Sequence, residues 1–495
     1  MRSRDLIVAS LLIVCITGCS SGSSLPSINR SASGNAVFSH LVGVGDSLTA
    51  GVQSSALLGA TGVTSPFSGY PGGAVPPGQE FGFWSILYQR GTGTPQAAMF
   101  NPAVSPLPLI RGPGLGSQLV VTPLAGIAAT QSPCSAFNNA GYAASGFGGT
   151  RMIAGQSVSD LGVPGITVHE ALYMTGPLTG PASGPMCSYP LNPADPTSAL
   201  QAVVSEESGN FLPVLGAFSG ATPLTEVNAA ASLHPSLTTV WLGGNDLLKF
   251  TFSGGKAPVD SPGQMQADFT QIIRTLQSSG SRVVVANLPD VLFLPQFFRG
   301  GPTLTATLEA PPFSVPAIPA TAVTAYIAAT YGVGPGGFLT ETGFFKTLAT
   351  LKGGSVTPVL SAPGDFLVDA FAVQVQSLNT QYNAAIAAAA VSSGASLVDV
   401  HKLFTEIRIA GGIPINPPFC CTLGFGGGLV SIDGIHPSNT GYALVANAFI
   451  QTIDAAYGAA ARPLSATELQ AVAASDPYAP PAFKKDALRF TGQRR

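Results

Sequence analysis

Val42-Gly43-Val44-Gly45-Asp46-Ser47-Leu48-Thr49 is the stretch on which the fold turns. It closes a mostly apolar run, His40–Gly45, that ends at a glycine turn, the pattern of a buried strand feeding a loop. Thr238–Leu242 and Arg282–Ala286 read the same way, each starting polar or charged and continuing apolar and β-branched, and Ser396–Val400 gives a fourth strand. Between them Met265, Phe269, Ile272, Ile273 and Leu276 recur at helical spacing and would lay one face on a sheet. Phe366–Ala390 reads as another long helix. A last helix is capped by Ser438 and carries the stripe Tyr442, Val445, Phe449 and Ile453. Strands alternating with helices imply an α/β fold, a parallel sheet covered on both faces, with any site beyond the C-terminal strand ends.

Three Gly/Pro-rich stretches, near residues 52–135, 174–230 and 296–362, interrupt this alternation without any internal repeat. Loops of that length are functional or disordered as a rule, and their Phe, Tyr and Leu content favours packed excursions around the mouth of a site. The expected organisation is therefore one domain, residues 38–458, with three insertions, and a Pro-containing tail at 459–495 that reads as an appendage. Charged residues make up 9% and apolar residues 45% of the 495, which excludes both a disordered chain and a nucleic-acid binder. The formal net charge of −3 offers no electrostatic capture of polyanions.

Arg2 and Arg4 precede an apolar run from Leu6 to Ile16, too short to span a bilayer, so residues 1–18 read as an export signal. Ile16-Thr17-Gly18-Cys19 resembles a bacterial lipobox, which would make Cys19 the lipidated first residue of the mature chain; an ordinary signal peptide would leave it a plain thiol. Residues 19–37 then read as a flexible tether. By resemblance to other lipoproteins, Ser20 after the cysteine implies the outer membrane or cell surface. Export removes Arg2, Arg4 and Asp5 and leaves a net charge of about −4. Cys134, Cys187, Cys420 and Cys421 then remain, and four cysteines allow three pairings. Adjacent cysteines bridge only through a strained ring, which favours joining Cys420 and Cys421 each to Cys134 or Cys187.

Three short blocks carry chemistry. Gly45-Asp46-Ser47-Leu48 offers a hydroxyl, Gly243-Gly244-Asn245-Asp246 an amide, and Asp433-Gly434-Ile435-His436 an acid and an imidazole on one turn. A serine attacks at neutral pH only with a base to take its proton, a carboxylate to orient that base, and donors for the developing oxyanion. Each block alone is a common turn; together, in order, with two following strands and one preceding a helix, they describe a nucleophilic hydrolase. His40, His169, His234 and His401 are assigned structural or surface roles. His169-Glu170 lacks the second histidine of a zincin helix and reads as surface loop or helix start, and no zinc spacing is present.

These blocks resemble those of the GDSL, or SGNH, hydrolases. The resemblance implies a flavodoxin-like three-layer α/β/α fold with about five parallel strands, Ser47 as nucleophile, His436 as general base, Asp433 as its orienting acid, and Ser47 N–H and Asn245 as oxyanion donors. It further implies a serine esterase or lipase working through an acyl-enzyme on an ester substrate, without cofactor or metal. The remaining block is weaker: Asp160 stands where the family shows asparagine, five residues before the oxyanion glycine, Gly165. Asn138-Asn139-Ala140-Gly141 is a rival for that position. Gly18-Cys19-Ser20-Ser21-Gly22 fits a G-x-S-x-G elbow but follows no core strand, which excludes a classical α/β-hydrolase reading. The alternatives are a carbohydrate-ester deacetylase and a catalytically silent surface lipoprotein that binds a partner. Oligomeric state is not legible.

Overall fold

The structure, a computed structural model, describes residues 36–53, 78–99, 101, 104–111, 150–151, 157–175, 211, 214–218, 224–257, 259–413, 420–431 and 433–480. Its strands are β1 (Leu41–Gly45), β2 (Leu237–Trp241), β3 (Arg282–Ala286), β4 (Phe297–Arg299), β5 (Phe338–Thr340), β6 (Phe366–Leu367) and β7 (Ser396–Val398), with a short pair at Ile110–Arg111 and Thr150–Arg151. The main helices up to the middle of the chain are α1 (Phe83–Thr92), α2 (Val168–Tyr173), α3 (Glu226–Ser232), α4 (Gly244–Phe252) and α5 (Pro262–Ser278). They continue as α6 (Pro302–Glu309), α7 (Ala317–Tyr331), α8 (Glu341–Lys352), α9 (Asp369–Ser393), α10 (Val400–Ile409), α11 (Asn439–Tyr457) and α12 (Ala466–Ser475). The chain is thus mixed α/β, with a parallel sheet flanked by helices.

The central sheet runs β1-β2-β3-β7, every pair parallel. On the free side of β1 the segment around Asp160 adds a single parallel bridge to Gly43, with Leu161 N donating to Gly43 O at 3.0 Å and Val163 N to Gly45 O at 2.8 Å. Among the described residues the sheet thus has four strands, where about five were expected, with one bridged segment beside β1. Alternation along the strands sorts side chains to two faces. Val42, Val44, Val240, Val283 and Val285 pack with α5 and α9, whereas Leu41, Trp241, Val284, Ala286 and Val398 pack with α1 and α11.

Local chemistry sets the helix ends. Ser261 caps α5 with Pro262 in its first turn, and Ser438 caps α11 through Gly441 N. The α11 stripe Tyr442, Val445, Phe449 and Ile453 is fully buried. The long helix expected from Phe366 begins at Asp369 instead, because Phe366 and Leu367 pair with β5 and the Asp369 carboxylate accepts from Gly334 N and Gly336 N.

The stretch near 296–362 folds as a small unit of its own. β4, β5 and β6 form an antiparallel sheet carrying α6, α7 and α8 around a separate core of Phe298, Leu304, Leu308, Val323, Ile327, Leu339 and Phe344. Phe298 stacks on Phe344 at 3.8 Å. The start of the tail is no loose appendage either. α12 packs on α11, Asp476 accepts from Thr440 N at 2.8 Å, and Arg90 pairs with Glu468 at 2.9 Å. Among the described residues no helix is long and apolar enough to cross a membrane.

The sulfurs of Cys420 and Cys421 meet each other rather than distant partners. The turn accommodates this with a left-handed φ of 75° at Cys421. Cys134 and Cys187 lie outside the described residues, as do Cys19, the signal and tether up to residue 35, and most of the two earlier insertions.

Candidate active site

Ser47 follows β1 by two residues, in a turn tied by Ala50 N to Asp46 O at 3.0 Å and Val52 N to Ser47 O at 2.9 Å. Asp46 shapes the turn as short acidic side chains do, its Oδ1 accepting from Leu48 N at 2.9 Å. Glycines are required where backbones touch here. A Cβ at Gly45 would come within 2.7 Å of Trp241 O, and one at Gly162 within 2.6 Å of Ala50 N. The same segment reaches the start of α11, where Gln53 Nε2 donates to Asn439 Oδ1 at 2.9 Å.

The loop before α11 brings the second block to it. His436 Nε2 lies 2.8 Å from Ser47 Oγ, and His436 Nδ1 lies 2.8 Å from Asp433 Oδ2. The other oxygen, Asp433 Oδ1, accepts from Ile435 N and His436 N at 2.9 Å and from Ser431 Oγ at 3.0 Å. Burial alone would raise the Asp433 carboxyl. The neighbouring imidazole and these donors outweigh it and hold the group below its ordinary range, so it stays ionised. Ser47, Asp433 and His436 are all buried, at 7, 8 and 6% exposure, which keeps water from competing for these bonds.

Asn245 lies in the first turn of α4, just past β2. Its Nδ2 donates to Ile166 O at 3.0 Å and, at a longer 3.3 Å, to Asp46 Oδ2. Gly165 occupies the third position of the turn Val163-Pro164-Gly165-Ile166, closed by Ile166 N to Val163 O at 3.2 Å. With Pro164 second and φ of +88° at Gly165, this is a type II turn, which only glycine adopts freely. Among the described residues no acceptor engages the N–H of Gly165 or of Ser47. The rival Gly141 lies outside the described residues.

Beneath the Ser47 turn is a bed of buried acids that the sequence reading did not anticipate. Glu226 Oε1 accepts from Gly45 N at 2.6 Å, and Asp160 Oδ1 from Gly162 N at 3.1 Å. Burial pushes Asp46 up to about 7 and Asp160 up to about 8, and raises Glu226 well above its ordinary value, a shift to which the neighbouring carboxyls Asp46 and Asp160 add. Asp246 is likewise raised by burial to about 8 while it accepts from Val168 N at 3.2 Å.

A cleft of about 830 Å³, mouth included, opens beside Ser47 and Asn245. Its walls are apolar: Leu248, Leu288, Val291, Phe293, Leu294, Phe404, Leu423 and Ile435. Asp290 and Arg408 stand at it as well, the guanidinium 3.5 Å above the Phe293 ring.

His169 is a helix start, not a surface loop. Thr167 caps α2 in a reciprocal box with Glu170, and Glu170 also pairs with buried Lys249 at 3.1 Å. His169, Asp260 and Asp268 each bring one potential metal-ligating atom within 4.8 Å of the others, and His169 Nδ1 already bonds Asp268 Oδ2 at 3.0 Å.

No curated protein and no solved structure matches the chain. A family model described as GDSL-like lipase/acylhydrolase matches residues 195–449, a span that includes Asn245, Asp433 and His436 and begins after Ser47. The chain belongs to this family of hydrolases acting on esters.

Proposed function

We propose that the protein is a serine esterase or lipase that cleaves carboxylic esters through an acyl-enzyme on Ser47. The reading rests above all on one observation, the unbroken chain from Ser47 Oγ through His436 to Asp433, each link 2.8 Å. His436 Nε2 takes the hydroxyl proton as Oγ attacks the ester carbonyl, and Asp433 stabilises the imidazolium that results. The imidazolium then returns the proton to the leaving alkoxide, and water attacks the acyl-enzyme with His436 again as base.

The oxyanion is held by the N–H groups of Ser47 and Gly165, which have no other acceptor among the described residues, and by Asn245. Asn245 can exchange its longer 3.3 Å contact to Asp46 for the oxyanion while keeping Ile166 O, a tightening expected only in the transition state. The apolar walls beside Ser47 suit an acyl chain better than a sugar ring, which would leave its hydroxyls unpaired there. No cofactor takes part in this scheme. Export and anchoring of the chain through a lipid on Cys19 belong to the same proposal and rest on residues 1–19 alone.

A panel of nitrophenyl esters of increasing chain length, run beside an acetylated sugar, tests the substrate class. The expected result is turnover that rises beyond acetate and is lost in Ser47→Ala. Exclusive turnover of the acetylated sugar would move the protein to the deacetylases, and none on any ester would favour the silent lipoprotein.

A further inference from the structure

The insertion near 296–362 reaches the acid–imidazole turn at its first residue. Gln296, immediately before β4, donates its backbone N–H to Gly434 O at 3.0 Å. With its amide nitrogen turned to the acceptors that face it, the side chain donates to Asp433 O and to Glu341 Oε2, each at 3.0 Å. Gln296 therefore grips the carbonyls of both Asp433 and Gly434. The approach is close: a Cβ on Gly434, which sits at φ +71°, would come within 2.7 Å of Gln296 N. Glu341 opens α8 and is 3% exposed.

We propose that this insertion is a buttress for the proposed catalytic acid and base, with Gln296 and Glu341 as positioning residues that hold the Asp433–His436 turn in register with Ser47. The inference rests on the triad reading given above. Glu341 supplies a fixed acceptor that turns the Gln296 amide, and the amide in turn pins Asp433 O, which lies in the same residue as the carboxylate bound to His436. Burial, and then the Asp433 charge facing it, raise the Glu341 carboxyl well above its ordinary range. The shift disfavours a second negative charge beside Asp433.

The test uses the full chain and a nitrophenyl ester. Gln296→Ala and Glu341→Ala are expected to lower kcat about 10-fold with KM within about twofold, because misplacement at the reacting groups costs rate and not binding. Loosening Asp433 also weakens its support of the imidazolium, so the acid limb of the kcat/KM profile should move to lower pH by roughly half a unit. Loss of stability alone would not move that limb. Glu341→Gln keeps an acceptor oxygen and should retain kcat within about twofold of wild type. Gln296→Ala leaves the insertion's core intact and serves if Glu341→Ala does not fold. An unmoved acid limb in both alanine variants, or equal losses in Glu341→Gln and Glu341→Ala, overturns the buttress. Failure of the triad reading shows separately, as full activity in Ser47→Ala.

Discussion

Ser47 and His436 approach each other from supports of different construction. Ser47 stands at the end of β1, fixed by parallel pairing to β2 and by glycines that let Gly45 and Gly162 press against the turn. His436 stands on a loop before α11, fixed by the Asp433 carboxylate and, from outside the sheet, by Gln296. The first support is the fold itself, and the second is a turn reinforced by an added unit with its own core. Changes beneath Ser47 should therefore act mainly on stability, and changes around Asp433 mainly on rate.

The largest effect belongs to the imidazole side. His436→Ala should lower kcat by at least about 10⁴-fold and Asp433→Asn by about 10⁴-fold, with the fold preserved by circular dichroism. Activity within tenfold of wild type in a folded His436→Ala protein would break the assignment of the base. Asn245→Ala should lower kcat by roughly 10²–10³-fold with KM little changed, and a change confined to KM would take Asn245 out of the oxyanion role.

A smaller effect, on stability and not on rate, is expected beneath Ser47. Asp160 carries a pKa raised by burial to about 8. The folded state thus holds a proton there that the unfolded chain gives up near pH 4. Its contribution to stability is intact below that pH and declines as pH climbs through about 8. Asp160→Asn keeps the oxygen that accepts from Gly162 N but cannot ionise, so it should stabilise the protein at pH 8 by at least ~1 kcal/mol and flatten the slope between pH 5 and pH 8. Denaturant melts at the two pH values measure this. An unchanged slope would show that Asp160 is not the group responsible.

What could be read from the residues follows the same division. The strands and the blocks around Ser47, Asn245 and His436 were legible because each is local: an apolar run, a turn, a cap. Gln296 and Glu341 were not. Gln296 lies well over a hundred residues from Asp433 in the sequence, inside a stretch whose composition reads only as loop, and no short-range pattern announces such a contact. Glu226 under Gly45 was hidden likewise, since a buried carboxyl is indistinguishable from a surface one until its partner is in place. The helix expected from Phe366 failed at its start for a related reason: pairing with β5 overrode local preference.

The central claim is that Ser47 is the nucleophile, and the family match, which begins at residue 195, does not reach it. Reaction of the folded protein with a fluorophosphonate, followed by peptide mapping, addresses it directly. The account predicts a single adduct on Ser47, absent in Ser47→Ala. An adduct on another serine, or none on an enzyme that still cleaves esters, would contradict it.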